Sequence, residues 1–304
     1  MKISIIICTF NRADLLKEAL TSFVDQTAKP NLHEIIVVDN NSTDETQATA
    51  NSFSNKFPNF NVVFEPKQGL SHARNKGFSE ANTDWIVYMD DDAKAHGDLV
   101  ERIIYVTENY NFDCFGGAYF PWYKYGKPKW FKDEYASFCP QNNTGIIGKT
   151  YSHGGIIIFR KQALQAVEGF STAIGMQGNK ISYGEETHIQ IKMKKHGYII
   201  GFDPLSRIDH LVNACKLTPL WFIKSAYASG RDSWHILNNQ PTLAKVLFIP
   251  LSISRRTIKK IYLSTLALFK KNYYLQNWFI DVTSLLATGI GKFIKGLSLL
   301  IKSK

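Results

Sequence analysis

Apolar and polar positions follow one repeating order along the first ninety residues: a short β-rich apolar run, a polar turn, then a stretch with helical spacing. Residues 3–8 are the first such run, followed by Thr9-Phe10-Asn11-Arg12 and by Leu15, Leu16, Ala19, Leu20, Phe23 and Val24 on one helical face. A second run at 35–38 ends in a polar stretch from Asp39 to Glu45. There Ser42 or Thr43 is expected to cap the next helix, with Asp44 or Glu45 in its first turn. Residues 61–64 form a third, shorter run. The stretch 69–77 then opens a helix with Ser71 as its expected N-cap, and a fourth run delivers three consecutive carboxylates, Asp90, Asp91 and Asp92. This alternation predicts a parallel sheet of βαβ units.

The second half is less regular. Residues 112–140 are rich in aromatics, glycine and proline, including Phe115, Tyr119, Phe120, Trp122, Tyr123, Tyr125, Trp130 and Phe131. Such faces stack on sugar rings or pack a core. Ser152-His153-Gly154-Gly155 precedes a strand at 156–159, and the two glycines permit close backbone approach to a ligand. Residues 181–188, with the acidic pair Glu185-Glu186, lead into a helix expected over 189–196 and closing at Gly197; a strand is expected at 198–202, and Arg207-Ile208-Asp209-His210-Leu211 follows.

The Asp90–Asp92 cluster falls where a parallel sheet places its ligands, outside the carboxyl end of a strand. Adjacent carboxylates repel unless a cation or a hydrogen-bonding ligand lies between them, and Mg²⁺ or Mn²⁺ takes carboxylate oxygens together with substrate phosphates. A metal–diphosphate site is one reading. Acids that merely end the strand and cap the next helix are the other.

Charge divides the chain. It has 36 Lys/Arg and 26 Asp/Glu; residues 241–304 hold 11 of the bases and a single acid, Asp281, which leaves 25 of each in 1–240. The 304 residues, 44% hydrophobic, suit one large domain or a domain of about 240 residues with an appendage. In the appendage, apolar clusters alternate with basic pairs such as Arg255-Arg256, Lys259-Lys260 and Lys270-Lys271, the pattern of helices lying on an anionic membrane surface. A helical hairpin packed on the body or on a second subunit is the alternative. No module that reads bases is visible, so nucleic acid is not an expected partner. Cys8, Cys114, Cys139 and Cys215 are widely spaced, which argues against a zinc or disulfide framework and for a reducing cytosol. The first residues read as a strand rather than a signal peptide, and no uninterrupted apolar run reaches the roughly 18 residues of a membrane span.

Four motifs, Ile-Ile-Ile-Cys-Thr-Phe-Asn-Arg at 5–12, Val-Val-Asp-Asn-Asn-Ser-Thr-Asp at 37–44, Gly-Leu-Ser-His-Ala-Arg-Asn-Lys-Gly at 69–77 and Asp-Asp-Asp at 90–92, together resemble a family 2 glycosyltransferase of the GT-A fold, of the bacterial surface-polysaccharide type. The resemblance covers about residues 1–215. It implies a Rossmann-like, mostly parallel sheet flanked by helices, with 1–110 as the nucleotide-sugar half, 111–215 as the half for acceptor and base, and 216–304 as a basic helical extension. In such enzymes Thr9, Asn11, Arg12 and Asp39 would hold base and ribose, and Arg74 would approach the diphosphate. Asp92 and His210 would bind Mn²⁺ or Mg²⁺, Asp90 and Asp91 would face the ribose and metal-bound water, and Gly155 would lie against the substrates.

Glu186 would be the base, with Glu185 the alternative, since the family commonly carries Glu-Asp there. The resemblance thus implies an inverting hexosyl- or N-acetylhexosaminyltransferase. It would use a UDP-sugar and a saccharide or lipid-linked acceptor at the inner face of the cell membrane, either alone or as a homo-oligomer. Two rivals are a sugar nucleotidyltransferase, whose early glycine-rich loop is missing between Cys8 and Arg12, and a non-catalytic nucleotide-sugar binder attached to membranes.

Overall fold

The computed structural model describes residues 2–27, 31–148, 150–176, 181–237 and 240–302. The chain forms two compact units. The first comprises Met1–Trp122, Ala136–Gly178 and Glu185–Leu211; the second comprises Tyr123–Tyr135, Asn179–Gly184 and Val212–Lys304.

The first unit is built on one nine-stranded sheet. Its beginning follows the sequence pattern: β1 (Ile3–Thr9), α1 (Ala13–Thr21), β2 (Leu32–Asp39), α2 (Thr46–Asn51), β3 (Phe60–Phe64), α3 (Leu70–Glu80) and β4 (Trp85–Met89). β1 lies between β2 and β4, parallel to both, and β3 pairs parallel with β2. β1, β2 and β4 are almost entirely buried because helices cover both faces, which is why they read as unbroken apolar runs. With β2 on one side of β1 and β4 on the other, the strand order reverses at β1. The carboxyl ends of β1, β2 and β4 therefore border the crevice where such sheets bind ligands.

Beyond β4 the sheet is mixed. The remaining elements are β5 (Ala93–Ala95), α4 (Leu99–Asn109), β6 (Cys114–Trp122), β7 (Gly145–Ile146), β8 (Ile156–Arg160), α5 (Lys161–Ala166), α6 (Glu185–Lys195) and β9 (Ile200–Leu211). The sheet runs β3-β2-β1-β4-β8-β6-β9-β5, with β7 beside β9. β8 pairs antiparallel with β4 and sets Met89 opposite Ile156; β5 pairs antiparallel with β9 and sets Ala93 opposite His210. These two registers bring the loop before β8 and the end of β9 to the acidic cluster.

Local expectations at helix starts need correction. Neither Ser42 nor Thr43 caps α2: that helix begins at Thr46, whose backbone N–H donates to Asp44 Oδ1 at 3.0 Å. Ser71 lies inside α3 and donates its hydroxyl to the Ile174 carbonyl at 2.9 Å, while Gly69, at φ 142°, precedes the helix. α6 starts at Glu185, not at 189, so both glutamates sit in its first turn. The strand expected at 198–202 belongs to a longer one, β9, which starts at Ile200 and runs on through Leu211.

The second unit holds three long helices, α7 (Pro219–Ile236), α8 (Leu243–Ala267) and α9 (Leu275–Lys302). α7 and α9 approach closely through glycines: a Cβ on Gly230 would collide with the Thr288 carbonyl and one on Gly291 with the Tyr227 carbonyl. Trp234 Nε1 donates to the Lys292 carbonyl at 2.8 Å, and Asn277 ties residues 123–135 to α9 by donating to the Trp130 carbonyl and to Tyr135 Oη, both at 2.8 Å. α9 holds no unbroken apolar run of 18 residues, yet it is apolar on average. Its stretch Leu275–Ile301 is long and apolar enough, by length and composition, to cross a membrane, because isolated polar residues such as Asn277 and Asp281 interrupt the run without lowering its mean hydropathy below that of a span.

Candidate active site

Every residue singled out as a ligand or catalyst lies in the first unit, at the crevice edge of the sheet. Thr9 ends β1 and Asp39 ends β2, paired in register. The turn after β2 is laced to the turn after β1. Ser42 N–H donates to Asp39 Oδ1 at 2.9 Å, Asn11 N–H donates to Ser42 Oγ at 2.9 Å, and Thr43 N–H donates to Asn11 Oδ1 at 2.7 Å. Asn11 adopts a positive φ of 51° to do this, a conformation asparagine tolerates better than most residues.

The three aspartates diverge. Asp91 turns inward and accepts from Arg12 Nη1 at 2.7 Å; burial pushes its carboxyl up, Arg12 opposes this and Asp92 adds to it. Asp90 and Asp92 turn toward His210, whose Nε2 stands 3.3 Å from Asp90 Oδ2 and 3.3 Å from Asp92 Oδ1. One ligand atom from each of these three residues lies within 4.8 Å of the other two. Two carboxylates converging on one point with an imidazole suit a hard divalent cation, so these residues fit a metal. Asp90, read from sequence as facing the ribose, thus joins Asp92 and His210. Arg12, read as a nucleotide contact, faces Asp91 and, at 3.3 Å, Asp92 Oδ2.

Arg74 links this cluster to the acidic pair. It projects from α3 and is only 2% exposed, with its guanidinium 5.2 Å from the Phe170 ring centre. Nη2 faces Asp90 Oδ1 at 3.7 Å, and Nη1 faces Glu186 Oε1 at 2.7 Å and Glu185 Oε1 at 3.4 Å. The glutamates respond in opposite directions. For Glu185, burial and then the charge of Glu186 push the carboxyl up to about 8, which favours its protonated form. For Glu186, burial also opposes ionisation, but Arg74 and the backbone N–H of the helix start outweigh it and hold the group below the usual carboxylate range. Of the two, Glu186 is the one whose surroundings favour the ionised form.

The loop before β8 is shaped to this pair. A side chain on Gly154 would collide with Glu186 Oε1 and lie 2.7 Å from Arg74 Nη2. The Gly155 carbonyl accepts from Asp90 N–H at 3.2 Å, and a Cβ on Gly155 would sit 3.3 Å from His210 Cδ2. Gln190, fully buried, holds loop and helix together. Its Oε1 accepts from Ser152 N–H, and its Nε2 donates to the carbonyls of Ser152 and Glu186, all at 2.9 Å. Sequence reasoning missed Gln190; its signal was an uncharged polar residue four positions after Glu186 on a helix whose neighbours Ile189 and Met193 are apolar.

Comparison with known proteins bears on the family and the fold. A glucosyl-dolichyl phosphate glucuronosyltransferase of Haloferax volcanii is 26% identical over 241 residues, covering 76% of this chain and 75% of that protein. The succinoglycan biosynthesis protein ExoM of Rhizobium meliloti is 23% identical over 242 residues, covering 78% and 75%. Among solved structures, the mannosyltransferase PcManGT from Pyrobaculum calidifontis, in complex with GDP-Man and Mn²⁺, superposes with a TM-score of 0.65 at 18% identity, covering 96% of this chain and 86% of that one. Residues 4–168, more than half of the chain, match the family described as glycosyl transferase family 2, and the chain belongs to that family.

Proposed function

We propose that this glycosyltransferase is an inverting enzyme that moves a hexosyl or N-acetylhexosaminyl group from a UDP-sugar to a saccharide or lipid-linked saccharide. The observation that carries the reading is the span of Arg74, one buried guanidinium touching both the Asp90–Asp92–His210 cluster and the ionised Glu186. Asp90, Asp92 and His210 would hold Mn²⁺ or Mg²⁺, which when bound offsets the charge on a departing nucleotide diphosphate. Thr9, Asn11 and Asp39 hold the nucleoside: an ionised Asp39 accepts from a uracil N–H or a ribose hydroxyl. Arg12 keeps Asp91 and Asp92 in place. Glu186 takes the proton from an acceptor hydroxyl as that oxygen attacks the anomeric carbon from the face opposite the diphosphate, which inverts the configuration.

The catalytic body (1–215) and the basic extension (216–304) divide these tasks. The exposed Leu247, Phe248, Leu251, Ile258 and Tyr262 of α8, interspersed with exposed Arg255, Arg256 and Lys259, suit the anionic inner face of a cell membrane, where a lipid-linked acceptor would lie. The Haloferax relative, named for a dolichyl phosphate substrate, supports an acceptor of that class. A panel of nucleotide sugars, scored for Mn²⁺-dependent thermal stabilisation and nucleotide release, tests the reading. UDP-sugars should stabilise and turn over; a response confined to GDP-sugars would overturn the donor assignment.

A further inference from the structure

One exposed side chain beside the acidic pair has no role so far. His153 stands next to Gly154, the residue whose backbone packs on Glu186 and Arg74. Its ring centre is 4.3 Å from that of Phe138 and 6.2 Å from that of Tyr119. Tyr119 in turn lies 5.6 Å from His210, and Phe138 is fixed to Tyr119 by two backbone hydrogen bonds, at 3.1 and 2.9 Å. A short aromatic wall therefore runs from the metal-binding triad to the side of Glu186, with His153 as its exposed end. The wall is held in register with the base, since Gln190 bonds both carbonyls, of Ser152 before His153 and of Glu186.

We propose that His153, backed by Phe138 and Tyr119, forms the subsite for the acceptor's pyranose ring and fixes which hydroxyl reaches Glu186. This inference rests on the reading of Glu186 as the base. The chemistry fits a sugar on two counts. The apolar face of a pyranose packs on aromatic rings, and a neutral imidazole both donates to and accepts from hydroxyls. Desolvation against the neighbouring rings keeps His153 below the ordinary histidine value, with the charge of Glu186 pulling the other way. A sugar held there presents its hydroxyls to the carboxylate adjoining Gly154.

The test uses the full chain with Mn²⁺ and UDP, titrated with p-nitrophenyl β-glucoside, β-galactoside and β-N-acetylglucosaminide while saturation transfer to the sugar protons is followed by NMR. At least one glycoside should bind the wild type. H153A should weaken it by about tenfold, the worth of one stacking and one hydrogen-bonding contact together, while UDP affinity stays within about twofold. H153F, which keeps the stack and loses the hydrogen bonds, should fall between, and it decides the matter if H153A does not fold. Glycoside binding that is absent in the wild type, or equal in all three proteins, would overturn the subsite. Failure of UDP to bind the wild type would count instead against the proposed function, and the glycoside titration would still decide the subsite.

Discussion

Replacing Arg74 by Met removes the cation that three acidic side chains share, at nearly constant side-chain length. Glu186, Glu185 and Asp90 lie 2.7, 3.4 and 3.7 Å from the guanidinium, and Arg74 and Glu185 are almost fully buried. Removing one partner of such a pair costs about 3–5 kcal/mol, because an uncompensated charge remains. The loss depends on pH in a defined way. In the wild type the Glu186 pKa is depressed, so its contribution to stability is present above the ordinary glutamate value and lost as pH falls through the folded value. Without Arg74, burial dominates and raises that pKa, so stability instead declines as pH rises past the ordinary value.

The deficit of R74M in urea unfolding should therefore grow with pH, being smaller at pH 5 than at pH 8, where it should reach about 3 kcal/mol. Adding E186Q should recover part of it, since that change removes the charge left behind. The activity of R74M should also move to higher pH, where the base ionises again. A deficit below about 1 kcal/mol at both pH values would refute the reasoning, because buried carboxylates that lose nothing with the arginine were not relying on it.

Three further outcomes follow from other parts of the molecule. In D92N the fold should survive while Mn²⁺-dependent UDP binding, measured by calorimetry, weakens at least about tenfold, since one charged ligand is lost but no core group. Glu185 has a raised pKa, so the folded state holds an extra proton between the ordinary glutamate value and about 8; wild-type stability should fall across that window as pH rises, and E185Q should flatten the slope. Reversing the exposed charges of α8 (R255E, R256E and K259E together) should abolish sedimentation with phosphatidylglycerol vesicles at low salt and leave the melting temperature unchanged. Wild-type binding should weaken with salt as charges are screened over about 8 Å at physiological ionic strength.

The parallel half of the sheet was legible because β1, β2 and β4 are local apolar runs that end in marked polar residues. The remainder depends on pairings between distant segments. That β8 runs antiparallel beside β4, or that β9 carries His210 to Ala93, leaves no periodicity in either strand, so the mixed half of the sheet could not be read. The acidic cluster and the glutamate pair were visible as chemistry. Their partition was not: that Asp91 turns to Arg12 while Asp90 turns to His210 depends on a strand end whose side chains diverge within three residues. Helix starts were misplaced at Thr46 and Leu70 because Ser and Thr near a turn resemble caps, whereas Asp44 and glycine occupy those places here.

The account depends most on Glu186 as the proton acceptor. The direct measurement is single-turnover release of UDP from the donor identified in the nucleotide-sugar panel, with wild type, E186Q and E185Q compared at equal Mn²⁺ saturation. E186Q should be slower by about 10²–10⁴-fold with UDP affinity unchanged, while E185Q, whose parent side chain is pushed toward its protonated form, should keep most of its rate. Full turnover by E186Q, or that large loss appearing in E185Q alone, would contradict the account.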